Sequence, residues 1–356
     1  MRRACFAFAA LAALAWLAGG CPGETDLCSS GACDGPDPGI DGAGDGGDGG
    51  PGDGGGDSGP DALQSGFKEG NVYVAGSRNA EVFELDPALK LVTRWTHPSF
   101  GTVLPAPGQP LDQGPAGMVF DARGFLVVAG VKDFCVFSAP GVEVGCHAKT
   151  KSQPTENIIF DHLGNLYTTT STGGTNEVHK YDAAYNYVTT FSIKTGELTG
   201  ITCDPTGDLY IASQDTGSGH IYKVDRKTFA VIDTIDVAVS GIGSLEGLQY
   251  LKGGSILVAT FAGNQGILKV RASSPLVVES QITDATMYGA VPVTIDNNGN
   301  IYTADYENGS GTAPADLYVF DPAGKLIASN KGSPVYGPFG MVVAGAVLPC
   351  GAYQIE

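Results

Sequence analysis

Residues 161–170 read DHLGNLYTTT, and close copies follow as DPTGDLYIAS at 204–213 and DNNGNIYTAD at 296–305. A turn that recurs this faithfully constrains the chain more than any other feature. Each copy follows a short apolar run (AGMVFD at 116–121, ENIIFD at 156–161, TGITCD at 199–204, VPVTID at 291–296) and precedes a β-rich one. The turn chemistry is sensible: Asp hydrogen-bonds its own backbone two residues on, and Gly supplies a positive φ.

The turn glycines Gly124, Gly164, Gly207, Gly254 and Gly299 are spaced 40, 43, 47 and 45 apart. After each comes a variable loop and then a hairpin, as in EVHKYDAAYNYVTTF at 177–191 and DLYVFDPAGKLIASN at 316–330. A period of about 40–50 residues with four strands per unit predicts an all-β propeller. The unit at 246–282 is degenerate, with Leu251 where the turn Asp belongs. The first unit, GNVYVAGSRNAEVFELDPALKLVTRW at 70–95, has three strands and lacks an inner one. GPFGMVVAG at 337–345 resembles GPAGMVFDA at 114–122 and has no hairpin after it, so the C-terminus supplies the missing strand. That predicts a six-bladed ring of four-stranded blades closed by the C-terminal strand, without exposed edges.

The pattern apolar–Asp–x–x–Gly–Asn–apolar–Tyr, followed by apolar–x–x–Asp–x–x–Gly, resembles the six-bladed propellers of NHL-repeat proteins and of the gluconolactonase/regucalcin group over residues 68–347. Propellers host many functions, so the resemblance speaks to fold rather than activity.

The N-terminal region reads as an address. MRRACFAFAALAALAWLAGGC has a basic start, an apolar run and small residues before Cys21, which predicts a signal peptide over 1–20. Its end resembles a bacterial lipobox, which implies lipidation of Cys21, although Ala18 stands where that family prefers Leu. Without lipidation the chain would be secreted; with it, the chain is anchored in the cell envelope and touches membrane only through the lipid. Residues 22–65 hold ten acidic and no basic groups and read DGAGDGGDGGPGDGGGDSGPD through their middle. Such a stretch has almost nothing to bury and predicts a disordered, extended tether over 21–65. It lacks the periodic apolar residue or terminal Glu of known calcium repeats. The propeller is expected over 66–356.

Net charge is −18, of which −10 falls on residues 66–356. An acidic domain behind an acidic tether repels phosphate backbones and excludes nucleic acid as the expected partner.

Cys135 and Cys146 flank VFSAPGVEVG, and a hairpin centred on Pro140–Gly141 sets them opposite each other, fit for a cross-strand disulfide. Cys28 and Cys33 lie in the tether, close enough to pair. Cys203 reads as a packed residue in an apolar strand, and Cys350 has no evident partner.

Strand order puts both short turns of each blade on one face, the bottom. The variable loops share the other face, where binding usually lives. Inner strands begin at that top face. Their entry positions hold Ala116–Gly117, Glu156–Asn157, Thr199–Gly200, Glu246–Gly247, Val291–Pro292 and Phe339–Gly340. The gluconolactonase resemblance implies one divalent cation (calcium, zinc or manganese) on Glu246, Glu156 and Asn157, polarising a lactone carbonyl. Thr199, Val291 and Phe339 depart from that ring, with Asp215 and Asp305 as possible loop substitutes. The plainer reading makes Glu156 and Glu246 solvated residues of a channel mouth.

No G-x-S-x-G elbow is present, and GIGSLEG at 241–247 has the wrong spacing for a dinucleotide loop. His162, His179 and His220 are scattered and read as surface or packing residues. Tyr73, Tyr167, Tyr210 and Tyr302 share one repeat position and read as packing between blades. The expectation is a monomeric binding module without catalysis, whose top loops take a protein, peptide or glycan. A metal-dependent hydrolase of the gluconolactonase type is the alternative.

Overall fold

The computed structural model describes residues 65–101, 114–149, 155–170, 176–215, 218–237, 242, 244–261, 266–306, 313–346 and 350. The expected signal peptide, Cys21 and all but the last residue of the expected tether lie outside them, as do Cys28 and Cys33. No helix among the described residues is long and apolar enough to cross a membrane.

Twenty-four strands form six antiparallel sheets of four. Blade 1 pairs β1 (Val72–Gly76), β2 (Glu81–Leu85) and β3 (Leu91–Thr96) with β24 (Pro338–Val343) as its inner strand. Blade 2 is β4 (Met118–Phe120), β5 (Leu126–Ala129), β6 (Asp133–Ala139) and β7 (Val142–Ala148). Blade 3 is β8 (Thr155–Phe160), β9 (Leu166–Thr170), β10 (Glu177–Tyr181) and β11 (Tyr187–Ser192). Blade 4 is β12 (Glu197–Cys203), β13 (Leu209–Asp215), β14 (Ser218–Val224) and β15 (Val231–Val237). Blade 5 is β16 (Ser244–Leu251), β17 (Ser255–Phe261), β18 (Ile267–Arg271) and β19 (Val278–Ile282). Blade 6 is β20 (Ala290–Ile295), β21 (Ile301–Asp305), β22 (Asp316–Phe320) and β23 (Leu326–Asn330). The C-terminal strand closes the ring as the sequence predicts, with Val72 opposite Val343.

The repeated turn is a hydrogen-bond device. Asp161 Oδ1 accepts the N–H of Leu163 and of Asn165, each at 2.9 Å, while Oδ2 accepts the Asn165 amide at 2.8 Å and the Tyr167 hydroxyl at 3.2 Å. Asp296 repeats all four bonds with Asn298, Asn300 and Tyr302. Gly164 and Gly299 sit at φ +77° and +80°, where a Cβ is disfavoured. In blade 5, Leu251 offers no carboxylate, and two glycines at positive φ, Gly253 and Gly254, make the turn instead.

The core is divided rather than central: six apolar clusters each fill one interface between neighbouring blades. The recurring tyrosines are buried in these interfaces, and they are more than packing, because each hydroxyl ties to an acidic group (Tyr73 to Glu84 at 2.9 Å). The exposed pairs Leu91–Val92, Val231–Ile232 and Leu326–Ile327, with the single Val278, lie on the outer strands β3, β15, β23 and β19, as expected for the fourth strand.

Two cysteine expectations need correction. Cys203, at the end of β12, is not merely packed, and Cys350 is not without a partner: the two are joined, with Cα atoms 5.3 Å apart. Cys350 lies beyond the closing strand and contributes to the lining of the central channel.

Candidate functional site at the channel mouth

Every inner strand carries one extra residue at its top end. Thr155 pairs with Thr170 but Ile158 with Thr168, so Glu156 and Asn157 bulge from β8. The same shift falls at Thr199–Gly200, Glu246–Gly247, Val291–Pro292 and Phe339. In blade 2, Ala116 and Gly117 both bond to Ala129. A bulge bends its strand and re-aims side chains, here toward the channel. The bulge glycines let neighbouring blades touch: a Cβ on Gly200 would lie 2.1 Å from the Glu246 carbonyl oxygen, and one on Gly340 2.1 Å from that of Ala116.

These bulges bring the sequence candidates together. Glu156, Asn157, Thr199 and Glu246 line one small cavity with Gly200, Gly247, Val291 and Phe339. Its volume is about 10 Å³, room for a single water-sized group or the tip of a larger ligand. Below it the channel is lined mainly by apolar residues such as Ile158, Ile201, Leu248 and Met341, with Cys350 among them.

Glu246 carries the strongest electrostatic signal. Burial pushes its carboxyl up to about 8, and the negative charges of Glu156 and Glu197 add to the shift. A hydrogen bond from Ser244 Oγ at 2.7 Å offsets part of it. Burial and the neighbouring charges both act against the charged form, so this carboxyl keeps its proton to a higher pH than a free one.

The other donors are partly committed. Asn157 Oδ1 accepts the Ile158 N–H at 2.8 Å, and the Thr199 hydroxyl donates to the Leu245 carbonyl at 2.8 Å. Asp305 does not substitute as a ligand. It is buried and accepts the N–H of Tyr288 at 2.7 Å and of Gly289 at 3.0 Å, so it fixes the loop before β20. The Asp215 side chain lies outside the described residues. No third His, Cys or acidic side chain among the described residues joins Glu156 and Glu246 within bonding range of one ion. The half of the ring built by Ala116, Val291 and Phe339 offers no side-chain oxygen, so these residues do not fit a complete metal ring.

What faces the acidic pair is aromatic, a feature sequence reading missed. Tyr306 packs edge-on to Phe339 at 5.8 Å and to Phe261 at 5.7 Å, and Phe261 meets Tyr288 at 6.3 Å. The Tyr306 hydroxyl is buried beside the Arg78 guanidinium. Neither it nor Arg78 Nε has a well-formed hydrogen bond among the described residues. Burial raises the Tyr306 hydroxyl, Arg78 lowers it, and the charges of Glu156 and Glu246 reach it from across the mouth. The histidines stay apart from this site: His179 bonds Thr190 at 2.6 Å, His162 lies 3.1 Å from Arg226, and His220 pairs with Asp236 at 2.7 Å.

Solved structures with this architecture include a protein of unknown function from Bacteroides caccae, at TM-score 0.57 and 13% identity over 77% of this chain and 98% of that one. A luciferin-regenerating enzyme aligns at TM-score 0.54 and 15% identity over 80% and 96% of the two chains. A putative gluconolactonase aligns at TM-score 0.50 and 14% identity over 68% and 87%. The chain is a six-bladed β-propeller. No family model and no curated protein matches the sequence. Likeness at these identities establishes the fold alone.

Proposed function

We propose that this chain is an exported binding module, held in the cell envelope through Cys21 and its acidic tether, whose channel mouth receives a positively charged group of a protein or peptide ligand. The observation that carries this reading is the half-and-half character of the mouth. Glu156 and Glu246 stand on one side with Glu246 held partly protonated by burial. Tyr306 and Phe339 stand on the other. An organic cation neutralises the carboxylates and lies against ring faces, an arrangement each element favours. The cavity admits only the tip of such a ligand, so the remainder would rest on the top loops.

The test is a thermal-shift titration of the full chain with primary and quaternary alkylammonium ions, with calcium, zinc and manganese run in parallel. Saturable stabilisation by an ammonium ion that disappears in Glu246→Gln supports the reading. Stabilisation by one of the metals alone would move support to the alternative, a hydrolase of the gluconolactonase type. There Glu246, Glu156 and Asn157 would hold the ion, which would polarise a carbonyl. Stabilisation by neither would remove the mouth as a cation site. Anchoring is tested separately: Cys21→Ser should move the protein from the detergent phase to the aqueous phase.

A further inference from the structure

Among the described residues, one set of three His, Cys or acidic side chains converges within 4.8 Å, and it lies away from the channel. Cys135 in β6 and Cys146 in β7 are directly opposite, joined as a disulfide with Cα atoms 4.1 Å apart. Cys135 is fully buried and Cys146 is exposed. His97 reaches them from blade 1, in the turn after β3. Its Nδ1 accepts the Ser99 N–H at 3.2 Å, so in the neutral ring the proton sits on Nε2 and is donated to Glu143 Oε2 at 2.9 Å. The same Nδ1 lies 3.7 Å from Cys135 Sγ. Ser99 Oγ lies 3.1 Å from the same sulfur and 3.3 Å from Asp133 Oδ2, and its single proton can turn to either. Glu143 Oε1 lies 3.6 Å from Cys146 Sγ.

We propose that Cys135–Cys146 is a thiol–disulfide exchange site, attacked at Cys146 with Cys135 as the leaving sulfur. Exposure sets the direction, because only Cys146 is open to an incoming thiolate. In the first step the thiolate of an external thiol bonds to Cys146 Sγ, the Sγ–Sγ bond breaks, and its electron pair leaves on Cys135. The proton shed by the external thiol passes to solvent, and the new Cys135 thiolate takes the hydrogen bond of the Ser99 hydroxyl, which His97 positions by holding the Ser99 N–H on Nδ1 while Glu143 braces the ring from Nε2. Stabilising the leaving thiolate speeds exchange. The nearby negative charge of Asp133 is offset by the buried Lys149 that it faces. In the second step another external thiolate attacks the external sulfur of the mixed disulfide. Cys146 leaves and takes up a proton, and its S–H has Glu143 Oε1 as acceptor. Two external thiols are oxidised to their disulfide, and the protein disulfide gains two electrons and two protons. This inference is independent of the channel-mouth reading.

The experiment treats the full chain with reduced glutathione under pseudo-first-order conditions, quenches by acid and maps disulfides by mass spectrometry. The expected result is a glutathione adduct on Cys146, and reduction of Cys135–Cys146 at least about tenfold faster than of Cys203–Cys350. His97→Ala should slow that reduction about tenfold at unchanged melting temperature, with Glu143→Gln slowing it less. An adduct on Cys135, or equal rates in the native protein and both variants, would overturn the proposal.

Discussion

The Tyr167 hydroxyl donates to Asp161 Oδ2 across six residues of chain, at 3.2 Å, and so fastens the inner turn of blade 3 to the strand that follows it. The same carboxylate already accepts two backbone N–H groups and the Asn165 amide. Asp161→Ala leaves those donors without their acceptor and should cost about 2–3 kcal/mol, while Tyr167→Phe removes one bond and should cost about 1 kcal/mol. Urea denaturation of the two variants checks both the size and the order.

Gly200 is where blades 4 and 5 meet most closely. A methyl group there would sit 2.1 Å from the Glu246 carbonyl oxygen, inside any tolerable contact. Gly200→Ala should destabilise the fold by about 2 kcal/mol or more, since neither backbone can yield without moving its whole bulge. Gly145→Ala, with open space around the built Cβ, is the control and should be near neutral. Equal melting temperatures for the two would refute the close-contact account.

Glu246 should make stability fall as pH rises. Its folded value, about 8, lies above its ordinary value of 4.5, so the native state holds a proton that the unfolded chain has lost between those limits. The contribution is present in full below about 4.5 and is gone once pH passes through 8. Glu246→Gln keeps the neutral form at every pH. It should therefore gain stability over the native protein as pH climbs from 5 to 9, and melting curves across that range would read the divergence. A parallel pair of curves would contradict the burial of this carboxylate.

Cys350 should matter beyond its own neighbourhood. Its bond to Cys203 closes a loop of 147 residues. On the chain-entropy account, a loop of that size stabilises by up to about 5 kcal/mol. Cys350→Ser should lower the urea midpoint markedly, with Cys203→Ser similar and the double variant no worse than either. Additive losses would show that the two act separately.

Local chemistry explains why the blades were legible in the sequence. Asp161, Gly164, Asn165 and Tyr167 form a turn whose donors and acceptors lie within one heptapeptide, so its copies announce the blades, and the unpaired GPFGMVVAG announces the closing strand. Glu156, Asn157, Thr199 and Glu246 could be aligned because they hold two adjacent repeat positions. What stayed hidden depends on partners far along the chain. The bulges at Thr199–Gly200 and Glu246–Gly247 exist only relative to the strand opposite. Phe261 and Tyr306 hold the same place seven residues after the turn glycines Gly254 and Gly299, but Phe339 joins them from the closing strand of blade 1, a different repeat position. Cys350 meets Cys203 only after the ring has closed.

Lys149 offers a pH test with the opposite sign. It is buried between blades 2 and 3, where its ammonium donates to the Gly130 carbonyl at 2.8 Å and to Thr155 Oγ1 at 3.2 Å. Burial pulls its value down from 10.5 to about 8, against the opposing pull of Asp133. Between those limits the unfolded chain holds a proton that the native state has released, so the cost of burying the charge is full below 8 and relieved as pH rises toward 10.5. Taken at about 1.4 kcal/mol per pH unit, that cost is on the order of 3 kcal/mol. Lys149→Met removes the titration, so the native protein should gain stability on the variant between pH 8 and 10. Buried tyrosines such as Tyr210, whose hydroxyl burial raises to about 12, are common to both proteins and drop out of the difference. Melting curves at pH 8, 9 and 10 decide it: a constant gap between native and variant would mean that the ammonium, held by Gly130 and Thr155, stays charged throughout.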